Sequence, residues 1–71
     1  MAFAKIMRKC RKHRGLSQEQ LAEEADVDQT YVSLVERGKR NPSIDIADRL
    51  ARALGTKLSL LVEEAEREAR R

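Results

Sequence analysis

Aromatic side chains are almost missing: Phe3 and Tyr31 are the only two, and there is no tryptophan. Aliphatic residues must therefore supply nearly all the packing of any core. There is one cysteine, Cys10, so no internal disulfide can form, and a reducing cytoplasm is the expected compartment. No apolar run approaches the ~20 residues that span a bilayer, and none of signal-peptide length opens the chain. Period-two alternation, low-complexity tracts and internal repeats are absent as well. No nucleophile stands beside a base, no metal-ligand cluster is spaced along the chain, and no glycine-rich loop is built to cradle phosphate. Those absences speak against an enzyme and imply no catalytic residues, no metal and no cofactor.

What is present is charge, unevenly placed. The net charge is +3 on 71 residues, with 41% hydrophobic and 38% charged positions, a balance suited to one small compact domain spanning residues 1–71. The first fourteen residues carry Lys5, Arg8, Lys9, Arg11, Lys12 and Arg14 without a single acid. A second basic group, Arg37, Lys39 and Arg40, follows an acidic stretch holding Glu19, Glu23, Glu24, Asp26 and Asp28. Concentrated cations are the usual footprint of phosphate binding, although plain solvated helices carry similar runs.

Helical spacing accounts for the whole chain, which predicts an all-α fold of five short helices. Phe3, Met7 and Cys10 recur at i, i+4, i+7 beside Ile6 between Ala2 and Arg14, and Gly15 is a left-handed stop. Ser17 and Gln20 form a capping-box pattern at the start of a second helix, whose Leu21, Ala22 and Ala25 face inward. Only Asp26 and Val27 intervene before Asp28 caps a third helix that buries Val32 and Val35. Gly38 ends it, Lys39 to Pro42 form a loop, and Ser43 caps a fourth helix with an Ile44, Ala47, Leu50, Ala51 and Leu54 stripe. After Gly55, Leu58, Leu61, Val62, Ala65 and Ala69 share one face of a fifth helix over about 58–70. There Glu63–Arg67 and Glu66–Arg70 are i, i+4 pairs in the favoured order.

Residues 17–37 thus read as two separately capped helices on a very tight turn, a helix-turn-helix. Ala22 is the small residue at the crossing, Val27 the anchor in the turn, and Val32 and Val35 the buried branched residues of the second member. The outward strip of that second member, roughly Asp28 to Arg37, is Gln29, Thr30, Ser33 and Arg37. Such hydrogen-bonding groups suit contact with base edges and phosphates, whereas a merely soluble face would more often carry Glu–Lys pairs.

The segments RKHRGLSQEQLAEEA, YVSLVERGKRNPS and LARALG, in this order and spacing, resemble the Xre family of phage-repressor-type helix-turn-helix regulators over roughly residues 3 to 62. The resemblance implies a five-helix, lambda-repressor-like domain that binds double-stranded DNA in the major groove and regulates transcription. It also implies roles for individual residues. Gln29, Thr30 and Ser33 match groove-facing positions, and Gln29 is shaped for a bidentate contact with adenine. Gln18 matches a phosphate contact at a helix start, and Tyr31 resembles a tyrosine that reaches the DNA backbone. Arg37, Lys39, Arg40 and Asn41 match a loop lying along phosphates, while Arg11 and Glu36 match a structural ion pair. Two positions depart from the pattern. Asp26 stands where glycine is usual and must adopt a left-handed backbone. Leu34 replaces a polar groove contact, and either touches a thymine methyl or lies at the groove edge. The TYVS run of the third helix is similar to that of restriction–modification controller proteins.

The remaining reactive side chains have plainer readings. Cys10 is a small hydrophobe on an apolar stripe, His13 an exposed cation-flanked residue, and Ser17 and Ser43 are caps. A homodimer through the fourth and fifth helices, using Leu58, Leu61, Val62 and Ala65, would place two recognition helices one DNA turn apart on a near-palindromic operator. A protein partner such as a toxin is the alternative use of the same apolar end.

Overall fold

The computed structural model describes the backbone of residues 2–70 and the side chains of residues 3–70; Met1 and Arg71, the ends of the expected 1–71 domain, lie outside it. Five helices follow one another: α1 (Ala2–His13), α2 (Gln18–Ala25), α3 (Gln29–Glu36), α4 (Ile44–Ala53) and α5 (Leu58–Ala69). Among the described residues there is no strand. α1 packs on α5 and α3, α2 on α3 and α4, and α4 on α5, so each helix buries one stripe against at least two others where it can.

The caps set where these short helices begin. Ser17 Oγ accepts from the Gln20 amide at 3.0 Å, and Gln20 Oε1 accepts from the Ser17 amide at 2.8 Å, which closes the box. Asp28 Oδ1 accepts from the Thr30 amide at 2.7 Å, and Ser43 Oγ from the Ile46 amide at 3.2 Å. The turn between α2 and α3 runs through Asp26 at φ 58° and ψ 49°, the left-handed conformation that its missing glycine demanded. Two main-chain bonds hold it there, Asp26 N–H to Glu23 O at 3.2 Å and Val27 N–H to Ala22 O at 2.9 Å. Arg49, reaching across from α4, donates through Nε to Ala25 O at 3.0 Å and through Nη2 to Asp26 O. These carbonyls end α2, where a cation satisfies both the free acceptor and the helix dipole. Arg14 does the same for α4, its Nη1 donating to Ala53 O at 2.7 Å. Gly55 follows at φ +77°, and a Cβ there would lie 3.2 Å from Arg14 Nη1, so the position favours glycine on both counts.

The core is aliphatic, as the shortage of aromatics required. Met7, Leu21, Val32, Val35, Leu50 and Leu61 are its largest fully buried members, and Phe3 and Ile6 flank them. Three positions differ from the stripe reading. Ile44, the first residue of α4, is 81% exposed, because the helix starts beyond the edge of the core layer. Val62 is 41% exposed and Ala69 is exposed, since α5 turns these residues off the α1 contact. Conversely, Leu61 (2% exposed) and Ala65 (9%) face the chain's own core and are not available to a second copy. The apolar surface left at this end is a shallow groove lined by Pro42, Ile44, Leu58 and Val62.

Cys10 is half-buried against the core rather than fully enclosed. Desolvation, with the Glu64 carboxylate adding and Lys9 opposing, pushes its thiol above the ordinary range. At neutral pH it therefore stays protonated and poorly nucleophilic.

Candidate nucleic-acid interface

The site is built on α3, eight residues long and fixed at both ends. Val32 and Val35 point into the core, which by helical periodicity turns Gln29, Thr30, Ser33 and Arg37 outward. Gln29 and Thr30 are exposed and Ser33 is half-buried, so all three present polar groups along one row. Arg37, the C-cap, bends back so that its Nε approaches Ser33 O at 3.4 Å, leaving most of its guanidinium in solvent. Leu34 is half-buried at the edge of this row.

The loop after α3 supplies the positive charge. Arg37, Lys39, Arg40 and Asn41 are all exposed, and none of them forms a salt bridge among the described residues. The Arg40 guanidinium carbon lies 4.9 Å from the Tyr31 ring centroid, a cation–π contact that places the loop against the helix. Tyr31 is itself half-buried and packs on the core, so it is a fixed platform for Arg40. That contact has no sequence signature beyond an arginine and a tyrosine nine residues apart.

Arg11 and Glu36 form the most enclosed charge pair among the described residues. Arg11 Nε and Nη2 donate to the two oxygens of Glu36 at 2.6 and 3.0 Å, a bidentate pair whose side chains are 11% and 3% exposed. Arg11 Nη1 also donates to Leu16 O at 2.8 Å. Gln18, the first residue of α2, is half-buried and donates through Nε2 to Glu36 Oε1 at 3.1 Å. Gln18 thus sits at the same end of the molecule as Glu36, joined to it rather than free in solvent.

The other basic residues divide differently. Lys5 pairs with Glu68 at 2.8 Å on the α1–α5 face. Arg14 and Arg49 are committed to helix-end carbonyls, and sequence reading had no means to separate them from phosphate contacts. His13 is exposed, and among the described residues no group of three His, Cys, Asp or Glu could hold a metal ion. No described helix is long and apolar enough to cross a membrane.

Residues 7–61 match the family model described as helix-turn-helix, which is well over half of the chain. The control protein C.MunI of Mycoplasma sp is 40% identical over 67 residues, 93% of this chain and 90% of that one. The immunity repressor protein of Bacillus phage phi105 is 38% identical over 64 residues, covering 90% of this chain but 44% of the repressor. Among solved structures, the restriction-modification controller protein C.AhdI from Aeromonas hydrophila superposes with a TM-score of 0.82 at 42% identity, covering 84% of this chain and 91% of that one. Matching helices, matching order and this degree of identity agree with the geometry of α2 and α3. The chain belongs to the helix-turn-helix family, whose members are transcription regulators rather than enzymes, and it is a DNA-binding regulator of that kind.

Proposed function

We propose that the chain is a controller-type regulator that binds a near-palindromic operator as a homodimer, reading each half-site with α3 in the major groove. The observation that carries this reading is the outward row of Gln29, Thr30 and Ser33 set beside Arg37, Lys39 and Arg40, cations that form no ion pair among the described residues. In this reading Gln29, Thr30 and Ser33 face base edges. Gln18, Tyr31, Arg37, Lys39, Arg40 and Asn41 hold the sugar–phosphate backbone and set the register. The similarity to C.MunI and C.AhdI supports a controller-type regulator, because the chain matches about nine-tenths of each of those proteins.

Electrostatics supplies the first test. Affinity for duplex DNA should fall linearly on a log–log plot against salt, at about 0.9 per phosphate neutralised. Arg40→Ala should weaken binding to all sequences alike. Because the residue occurs once per half-site, it should lower the slope of a dimer by roughly 2. Fluorescence-anisotropy titrations at several salt concentrations measure both; a slope unchanged in Arg37→Ala, Lys39→Ala and Arg40→Ala alike would remove the loop from the interface.

The dimer contact is assigned to the groove of Pro42, Ile44, Leu58 and Val62, not to Leu61 and Ala65, which the core of one chain already encloses. Ile44→Asp places a charge on a residue that is 81% exposed in the single chain, so folding should be unaffected. Sedimentation velocity should then show a monomer, with operator affinity reduced and thermal stability of the isolated domain retained. A dimer that survives Ile44→Asp and Val62→Asp would place the contact elsewhere.

A further inference from the structure

Gln18 is the first residue of α2 and Glu36 the last of α3, yet their side chains meet: Gln18 Nε2 donates to Glu36 Oε1 at 3.1 Å. The Glu36 carboxylate is in turn clamped by Arg11 Nε and Nη2, at 2.6 and 3.0 Å, and its side chain is 3% exposed. Arg11 is anchored as well, through Nη1 to Leu16 O at 2.8 Å, just before the Ser17 cap. One carboxylate therefore joins α1, the entry to α2, and the end of α3.

This arrangement decides which way the Gln18 amide points. A carboxylate only accepts hydrogen bonds, so the nitrogen end of the amide must face Glu36. One Nε2 proton is taken by that bond. The other is directed away from the carboxylate and is the only side-chain donor Gln18 retains. A DNA phosphate is also an acceptor only, so an amide free to flip would offer it the carbonyl oxygen in one of its two orientations. From this geometry we infer that Glu36 is a positioning residue for DNA binding: it acts through Gln18, holding one amide proton toward the phosphate and anchoring that hold to the Arg11 pair. The inference rests on the DNA-binding reading above. It gives the ion pair a second consequence besides stability, since whatever disturbs Glu36 also releases the Gln18 contact.

Pre-ordering one rotamer-rich side chain corresponds to roughly a two- to twelvefold change in affinity per half-site. A double-mutant cycle reads this directly, using full-length protein and a mixed-sequence duplex of two helical turns at low salt and low temperature. Gln18→Ala and Glu36→Gln should each weaken binding by that factor once per half-site, roughly four- to 150-fold for a dimer on both. The double variant should be no weaker than Gln18→Ala alone, because with Gln18 removed Glu36 has nothing left to position. Losses that multiply in the double variant, or no loss from Gln18→Ala, would overturn the inference. If Glu36→Gln lacks the helical circular-dichroism signal, the wild-type protein supplies the second measurement by nitrogen-15 NMR. The Gln18 side-chain amide protons should exchange with water more slowly than those of exposed Gln29, and equal exchange overturns the proposal. A wild type that does not bind duplex DNA in a salt-dependent way would instead refute the DNA-binding reading, while the amide exchange would still report on the Gln18–Glu36 contact.

Discussion

Glu36→Ala is expected to lower the melting temperature by roughly 12 to 40 °C. Removing one partner of a buried, bidentate pair leaves the other charge uncompensated, at a cost of about 3–5 kcal/mol. A chain of 71 residues has only about 4–11 kcal/mol of stability in total, and each kcal/mol moves the midpoint by roughly 4–8 °C at this size. Arg11→Ala should do the same, since the Glu36 side chain is only 3% exposed and would keep a single neutral donor, Gln18. Replacing both by apolar residues of similar volume, as Arg11→Met with Glu36→Leu, should recover most of the loss, although Leu16 O then gives up its donor. Thermal melts followed by circular dichroism distinguish these cases. A drop of about 5 °C or less in both single variants would mean that water reaches the pair and that it is not the clamp described above.

The second large effect is on sequence discrimination. Gln29→Ala should leave folding intact, because Gln29 is exposed, yet it should flatten the preference for one base in each half-site. A bidentate contact of glutamine with adenine is worth about 1–3 kcal/mol of discrimination, and a two-fold site contains it twice, for roughly 2–6 kcal/mol in all. The expected signature separates two quantities. The affinity for the preferred duplex approaches that for a scrambled one, while the salt slope stays where it was, since no cation is lost. Competition titrations at a single fixed salt concentration measure the first, and the salt series measures the second.

Much of this architecture was legible because it is specified locally. The Ser17–Gln20 box, the Asp28 and Ser43 caps and the left-handed Asp26 each depend on residues no more than five positions apart, and each is present as read. The division of α3 into an inward Val32–Val35 side and an outward polar row follows from helical periodicity alone. Contacts over long separations were not legible from local pattern; the Arg11–Glu36 pair, 25 residues apart, was expected only through the family resemblance. Arg14 on Ala53 O and Arg49 on Ala25 O join residues 39 and 24 apart, and in the sequence these arginines look like any other surface cations. A hint does exist, since both carbonyls end helices, where cations are favoured, but nothing local selects which arginine arrives. The outward Ile44 and Val62 failed for a related reason. Periodicity gives the direction of a side chain around its helix, not whether core extends that far along it. For the same reason Leu61 and Ala65 read as candidates for a partner when the single chain encloses them.

The reading of α3 as the DNA-contacting helix is tested most directly by selecting bound duplexes from a random pool with the wild type and Gln29→Ala side by side. The wild type is expected to enrich a site with two-fold symmetry, its half-sites about one helical turn (~34 Å) apart, and with adenine fixed at one position of each half. Gln29→Ala should return the same half-site spacing with that one position randomised. An unstructured pool from the wild type, or an identical motif from both proteins, would contradict readout through this face of the helix.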